Sequence, residues 1–108
     1  MASAVEGRVV EIRAGNVTHN HIPIGPIRDL FPADAFGGGA KAAADNPIRV
    51  ELHPVGVFET DIASDKWILR IRAKDAIETF YKNIKAKDGT RLFFEKTGPR
   101  DFRVSVIA

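Results

Sequence analysis

His19-Asn20-His21 is the densest group of potential metal ligands in this chain of 108 residues. Two imidazoles spaced i, i+2 share one side of an extended segment and could begin a metal site. A metal-dependent nuclease needs a fuller set of ligands, and His53 is the sole further imidazole. No Asn or His pair follows at helical spacing. The absence of cysteine excludes thiolate zinc sites. Glu59, Asp61 and Asp65 could supply an acid and a base, yet carboxylates beside turns are ordinary solvated groups. Ser3, Ser64 and Ser105 stand in no nucleophile motif. Gly37-Gly38-Gly39-Ala40-Lys41 has the composition of a phosphate loop without the Gly-x-x-x-x-Gly-Lys-Ser/Thr spacing. Lys41 is retained as a backbone contact, because glycines let a cation approach a phosphate closely. The chain is therefore expected to be no enzyme and to hold no metal or cofactor.

Binding is better supported than catalysis. From Lys66 to Lys74 no acid interrupts the chain. Strand alternation would put Lys66, Ile68, Arg70, Arg72 and Lys74 on one face and Trp67, Leu69, Ile71 and Ala73 on the other. One apolar and one basic face suit a core strand whose outer side meets phosphates. The same pattern also describes a solvated strand face. A second acid-free window runs from Arg13 to Arg28 and offers Arg13, Asn16, Thr18, His19, Asn20, His21 and Arg28. Asn and Arg make bidentate contacts to adenine and guanine edges. An asparagine-containing turn with polar flanks would explain the same residues.

The elements that must hold these windows are mostly strands. Residues 5–13 read as a first strand ended by the turn dipeptide Gly15-Asn16. Ile22-Pro23-Ile24 reads as a short strand at an edge or bulge, since proline donates nothing to a ladder. Short helical signals cover residues 26–36, with Pro32 at a first helical position and the three glycines as a stop. Ile48, Val50 and Leu52 alternate on one face of a half-buried strand. Residues 57–62 and 67–73 read as a hairpin. Asp75 and Glu78 form a capping pair before an apolar stripe of Ala76, Ile77, Phe80, Tyr81 and Ile84, a helix ending near Lys85. Asp88-Gly89 turns the chain into two last strands, residues 90–96 and 102–107. The expected fold is mainly β with two short helical segments, seven strands closing into one open β-barrel.

Composition sets the outer bounds. The hydrophobic fraction of 44% supports one core, and the length leaves no room for a second. Residues 1–4 read as a tail and residues 5–108 as a single domain. A small domain without cysteine fits a reducing, cytoplasmic setting. No apolar run approaches the ~20 residues needed to span a bilayer, and no membrane partner is expected. Net charge is only +2, so any polyanion site depends on local excess.

Taken in order, Ile22-Pro23-Ile24, Leu30-Phe31-Pro32, the hairpin from Phe58 to Ile71, the helix from Ala76 to Ile84, Lys87-Asp88-Gly89-Thr90, Leu92-Phe93-Phe94-Glu95 and Phe102-Arg103-Val104 resemble the B3-like DNA-binding pseudobarrel. That family includes plant B3 transcription-factor domains and recognition domains of bacterial type II restriction endonucleases. Residues 31–38, with His19-Asn20-His21 before them, are closer to the bacterial branch. The resemblance implies sequence-specific recognition of double-stranded DNA by two arms in the major groove. They would correspond to residues 13–21 and 60–72, which overlap the two windows singled out by charge. It also implies a nuclease or other effector domain as partner, and nucleoid association when DNA is bound. The plant pattern's aromatic, serine-rich loop is missing from the second arm, where Asp61 and Asp65 stand instead.

The expected contacts are Arg13, Asn16, Thr18, His19, Asn20 and His21 from the first arm. Thr60, Asp61, Ser64, Asp65, Lys66, Trp67, Arg70, Arg72 and Lys74 come from the second, and Lys41 from the glycine loop. Arg70, Arg72, Lys74 and Lys41 would hold phosphates. The alternative is a protein-interaction or regulatory module on the same barrel, marked by several aromatics exposed in one patch.

Overall fold

The computed structural model describes residues 6–37, 47–63, 66–71 and 75–107. In chain order the elements are β1 (Glu6–Glu11), α1 (Ala14–Thr18), 3-10 turns at Gly25–Leu30 and Ala33–Ala35, β2 (Phe36–Gly37), β3 (Ile48–Leu52), β4 (Gly56–Thr60), β5 (Ile62–Ala63), β6 (Ile68–Leu69), α2 (Ala76–Asn83), β7 (Arg91–Gly98) and β8 (Asp101–Val106). The fold is mainly β with short helices. The expected seven-stranded barrel is corrected to two open sheets, ordered β1-β7-β8-β3-β4 and β2-β5-β6. The sheets divide because the chain leaves the β3–β4 ladder after Thr60. Two residues later it pairs Ile62 with Leu69 in the small sheet.

Alternation was a sound guide in the large sheet. Val10, Val50, Leu52, Leu92, Phe94, Phe102 and Val104 point into the core, where Phe31 packs against Phe94 and Phe102. The outer face carries charges opposite one another. Arg49 pairs with Asp101 at 2.8 Å, and Glu51 lies 3.8 Å from Arg103 and 3.4 Å from His53. At the edge of that face the ring of Phe93 covers Gly7 so closely that a Cβ there would fall 2.3 Å from it. Glycine is the residue that permits this approach.

Helix α2 buries Ala76, Ile77, Phe80 and Tyr81 of the expected stripe, and its last member, Ile84, is the half-buried residue that ends the helix. The expected Asp75–Glu78 capping box does not form: Asp75 is left-handed, at φ 63°, and its side chain makes no cap bond. The helix stops as expected beside Lys85. Left-handed Lys85 donates its N–H to Lys82 O, and Ala86 donates to Tyr81 O, a Schellman closure without glycine. Two further readings change. Ile22-Pro23-Ile24 is reduced to a single bridge, Pro23 to Ile68. The expected strand over 67–73 is only Ile68–Leu69 among the described residues, because Trp67 is left-handed at φ 53° and breaks the alternation.

Candidate nucleic-acid interface

The first window is a helix where a turn was expected. Gly15 and Asn16 lie inside α1, and both of its ends are secured by side chains and backbone. At the start, Arg13 N–H donates to Asn16 Oδ1 at 2.8 Å and Ala14 N–H to Asp88 Oδ1 at 3.1 Å. Asp88 thus caps α1 from the turn before β7, at the end of the helix where a carboxylate is stabilising. At the finish, Asn20 is left-handed at φ 55°; its N–H donates to Val17 O, and His21 N–H donates to Asn16 O. Asparagine tolerates this conformation well, so Asn20 has a structural reason to be where it is.

These roles separate the two asparagines. A bidentate contact to adenine uses both the amide oxygen and the amide nitrogen. Asn16 spends its oxygen on the Arg13 N–H. Asn20 is exposed, and its side chain has no hydrogen-bond partner among the described residues. Thr18 and His19 are exposed beside it, and His21 is half-buried. Arg13 is exposed and pairs with Glu11 at 2.7 Å.

The second window meets the first along the backbone. Ile24 N–H donates to Trp67 O at 2.8 Å, and Leu69 N–H donates to Ile22 O at 3.1 Å. With the Pro23–Ile68 bridge, these bonds sew the end of the first arm to β6. Tyr81 Oη donates to His21 O and ties the same point to α2. Burial raises the Tyr81 phenol pKa, so the hydroxyl stays a donor. The rings of His19 and His21 lie 5.9 Å apart. Burial holds the His21 imidazole below its usual pKa range, with His19 and Lys66 adding repulsion. Lys66 is exposed at this seam and forms no ion pair among the described residues.

Trp67 was expected on the apolar face and is instead 38% exposed. Its ring stands edge-to-face against Phe36, at 5.6 Å, and Arg28 lies over it at 5.2 Å. Arg28 joins the seam although it was absent from the expected contacts; its place in the acid-free first window was the available signal.

Other expected contacts turn inward. Thr60 and Asp61 are each 5% exposed. Arg70 is corrected from an outward phosphate contact to the partner of Asp61, its side chain 10% exposed. The pair is bidentate, with Arg70 Nε donating to Asp61 Oδ1 at 2.9 Å and Nη2 to Oδ2. The Arg70 N–H also donates to Asp61 O at 2.9 Å. A charge this buried is held because it is paired and hydrogen-bonded. This pair fastens the residue after β6 to the residue before β5. Lys41, Ser64, Asp65, Arg72 and Lys74 lie outside the described residues. Among the described residues no three His, Asp or Glu side chains converge as metal ligands would, and no helix is long and apolar enough to cross a membrane.

The fold resembles the N-terminal domain of Helicobacter pylori LlaJI.R1. The match has a TM-score of 0.59 and covers 95% of this chain and 88% of that one, at 10% sequence identity. At that identity the likeness establishes a shared fold. No family model and no curated protein matches the chain.

Proposed function

We propose that this domain recognises double-stranded DNA in a sequence-specific way, as the non-catalytic reading part of a restriction-type system. The observation that carries the reading is the seam. Two stretches far apart in sequence, each without an acid over its most basic part, are hydrogen-bonded side by side and present Thr18, His19, Asn20 and Lys66 outward. Asn20 supplies a free amide for a base edge, and Lys66 a cation for phosphate. The shared fold with a domain of LlaJI.R1, whose designation is of the restriction-enzyme kind, supports the same reading. So does the order of motifs that resembles the B3-like family. On this reading residues 13–21 and the hairpin tip around Lys66 enter the major groove together, and a nuclease or other effector acts beside them. The Asp61–Arg70 pair holds the hairpin to its base and touches no DNA.

A protein-interaction module would expose several aromatics in one patch. Trp67 is the one exposed large aromatic among the described residues, while Phe31, Phe80, Phe94 and Phe102 are buried. Selection from a random duplex library, repeated with cytosine-methylated DNA, tests the reading. Enrichment of a defined motif is expected. An unenriched library, or binding indifferent to salt, would overturn it.

A further inference from the structure

We infer that Arg28 is a DNA-phosphate anchor and that Trp67 is the residue that positions it. The inference rests on the DNA reading above and extends it to a contact outside both arms. Arg28 lies in the 3-10 turn Gly25–Leu30, which follows directly on the sewn segment Ile22–Ile24. Its guanidinium is fixed by two neutral groups. It lies over the Trp67 ring at 5.2 Å, and its Nη1 donates to Gly25 O at 2.8 Å. Neither contact cancels its charge.

The neighbouring acid is already engaged. Asp29 accepts from Arg8 Nη1 at 3.1 Å and from Arg8 Nη2 at 3.0 Å. Arg28 itself is exposed and forms no ion pair among the described residues. A structural arginine on a protein surface ordinarily finds a carboxylate, as Arg8, Arg49 and Arg100 do here. Arg28 is instead held on an aromatic face with its remaining donors open. Such a planar guanidinium is preorganised for contact with phosphate oxygens, since little side-chain freedom is left to lose.

Trp67 explains the arrangement from the other side. It adopts φ 53°, an uncommon conformation for a bulky residue, at the tip of the β5–β6 hairpin. That backbone turns the indole out of the core and onto Phe36, with Arg28 over it. Lys66, one residue earlier, stands at the same tip. Arg28 and Lys66 would then flank the hairpin tip and grip the duplex backbone while the first arm reads bases.

Trp67 is the chain's sole tryptophan, so its emission reports on this spot alone. The test titrates the intact chain with a pool of short random-sequence duplexes across a salt series. Anisotropy of labelled DNA follows binding, and Trp67 emission follows the anchor. Arg28→Ala should weaken binding about tenfold for all sequences, the size of one charge-assisted contact. It should also reduce the salt slope by about 0.9. Arg28→Lys should keep the slope but not the full affinity. Trp67→Phe should keep the slope and weaken binding less than Arg28→Ala, as expected of a positioning residue. In the unsubstituted chain duplex should change Trp67 emission. If the chain binds duplex but Arg28→Ala and Arg28→Lys keep its affinity and slope, the anchor is overturned and the DNA reading stands. If the unsubstituted chain binds no duplex even at low salt, both fall.

Discussion

The outer face of the five-stranded sheet and the seam between the two arms both carry arginine, lysine and histidine, yet they treat charge in opposite ways. On the sheet, Arg49 meets Asp101 across the β3–β8 ladder, and Glu51 serves both Arg103 and His53. At the seam, Lys66 and Arg28 form no ion pair among the described residues, and Asn20 keeps its amide unused. The sheet face is a solvated surface that balances itself. The seam is a surface with open donors on a fixed backbone, as an anionic partner requires. The net charge of +2 conceals this difference, because a sum over the chain does not tell paired charges from open ones.

The largest expected effect separates buried from exposed pairs. Asp61→Ala removes the bidentate carboxylate from the buried Arg70 guanidinium, and should cost about 3–5 kcal/mol of stability. Asp101→Ala, which breaks the exposed sheet pair, should cost about 1 kcal/mol or less. Urea midpoints of the two variants check the contrast. Equal losses would mean that Arg70 escapes to solvent when Asp61 is removed.

Next comes Asn20. Asn20→Gly preserves the left-handed backbone at φ 55° while removing the side chain. The fold should be kept, and specificity at one base position should fall by about 1–3 kcal/mol. Competition among single-position variants of the selected site measures it. A uniform loss across all positions would show that Asn20 serves the backbone alone.

A smaller effect compares two lysines of equal charge. Lys66→Ala should lower the salt slope of duplex binding by about one. Lys96→Ala, on β7 of the large sheet, should leave it unchanged. Equal effects of the two substitutions would remove the distinction between seam and sheet.

The smallest effect is the response to pH. His21 is held below the ordinary imidazole range by burial, and secondarily by His19 and Lys66. Between its native value and the ordinary value near 6.5, the unfolded chain binds the extra proton, so stability should fall as pH drops through that window. Phosphate favours the protonated ring, so duplex affinity should rise over the same window. His21→Asn should flatten both profiles, read by thermal melts and by anisotropy. A stability that rises on acidification would contradict the burial of this ring.

Much of the fold was legible where one face of an element is buried throughout. Ile48, Val50 and Leu52, or Leu92 and Phe94, alternate because the core lies on one side only. Ala76, Ile77, Phe80 and Tyr81 read as a helix for the same reason. The site was legible as two acid-free windows and in little more detail. Gly15-Asn16 reads locally as a turn, but α1 is capped by Asp88 from 74 residues away. Arg70 reads as one of a row of outward cations, but Asp61 draws it inward. Trp67 reads as core, but its left-handed backbone and Arg28 hold it at the surface.

Local pattern alone determined the strands of the large sheet, helix α2, the core residues on their buried faces, and which windows lack acids. Those properties follow from local periodicity and composition, which act over a few residues. The tertiary structure alone decided that the chain forms two open sheets, that Ile22–Ile24 is sewn to Trp67–Leu69, and which cations remain open. Those outcomes depend on hydrogen bonds and ion pairs between residues distant in the chain, whose partners no local pattern specifies.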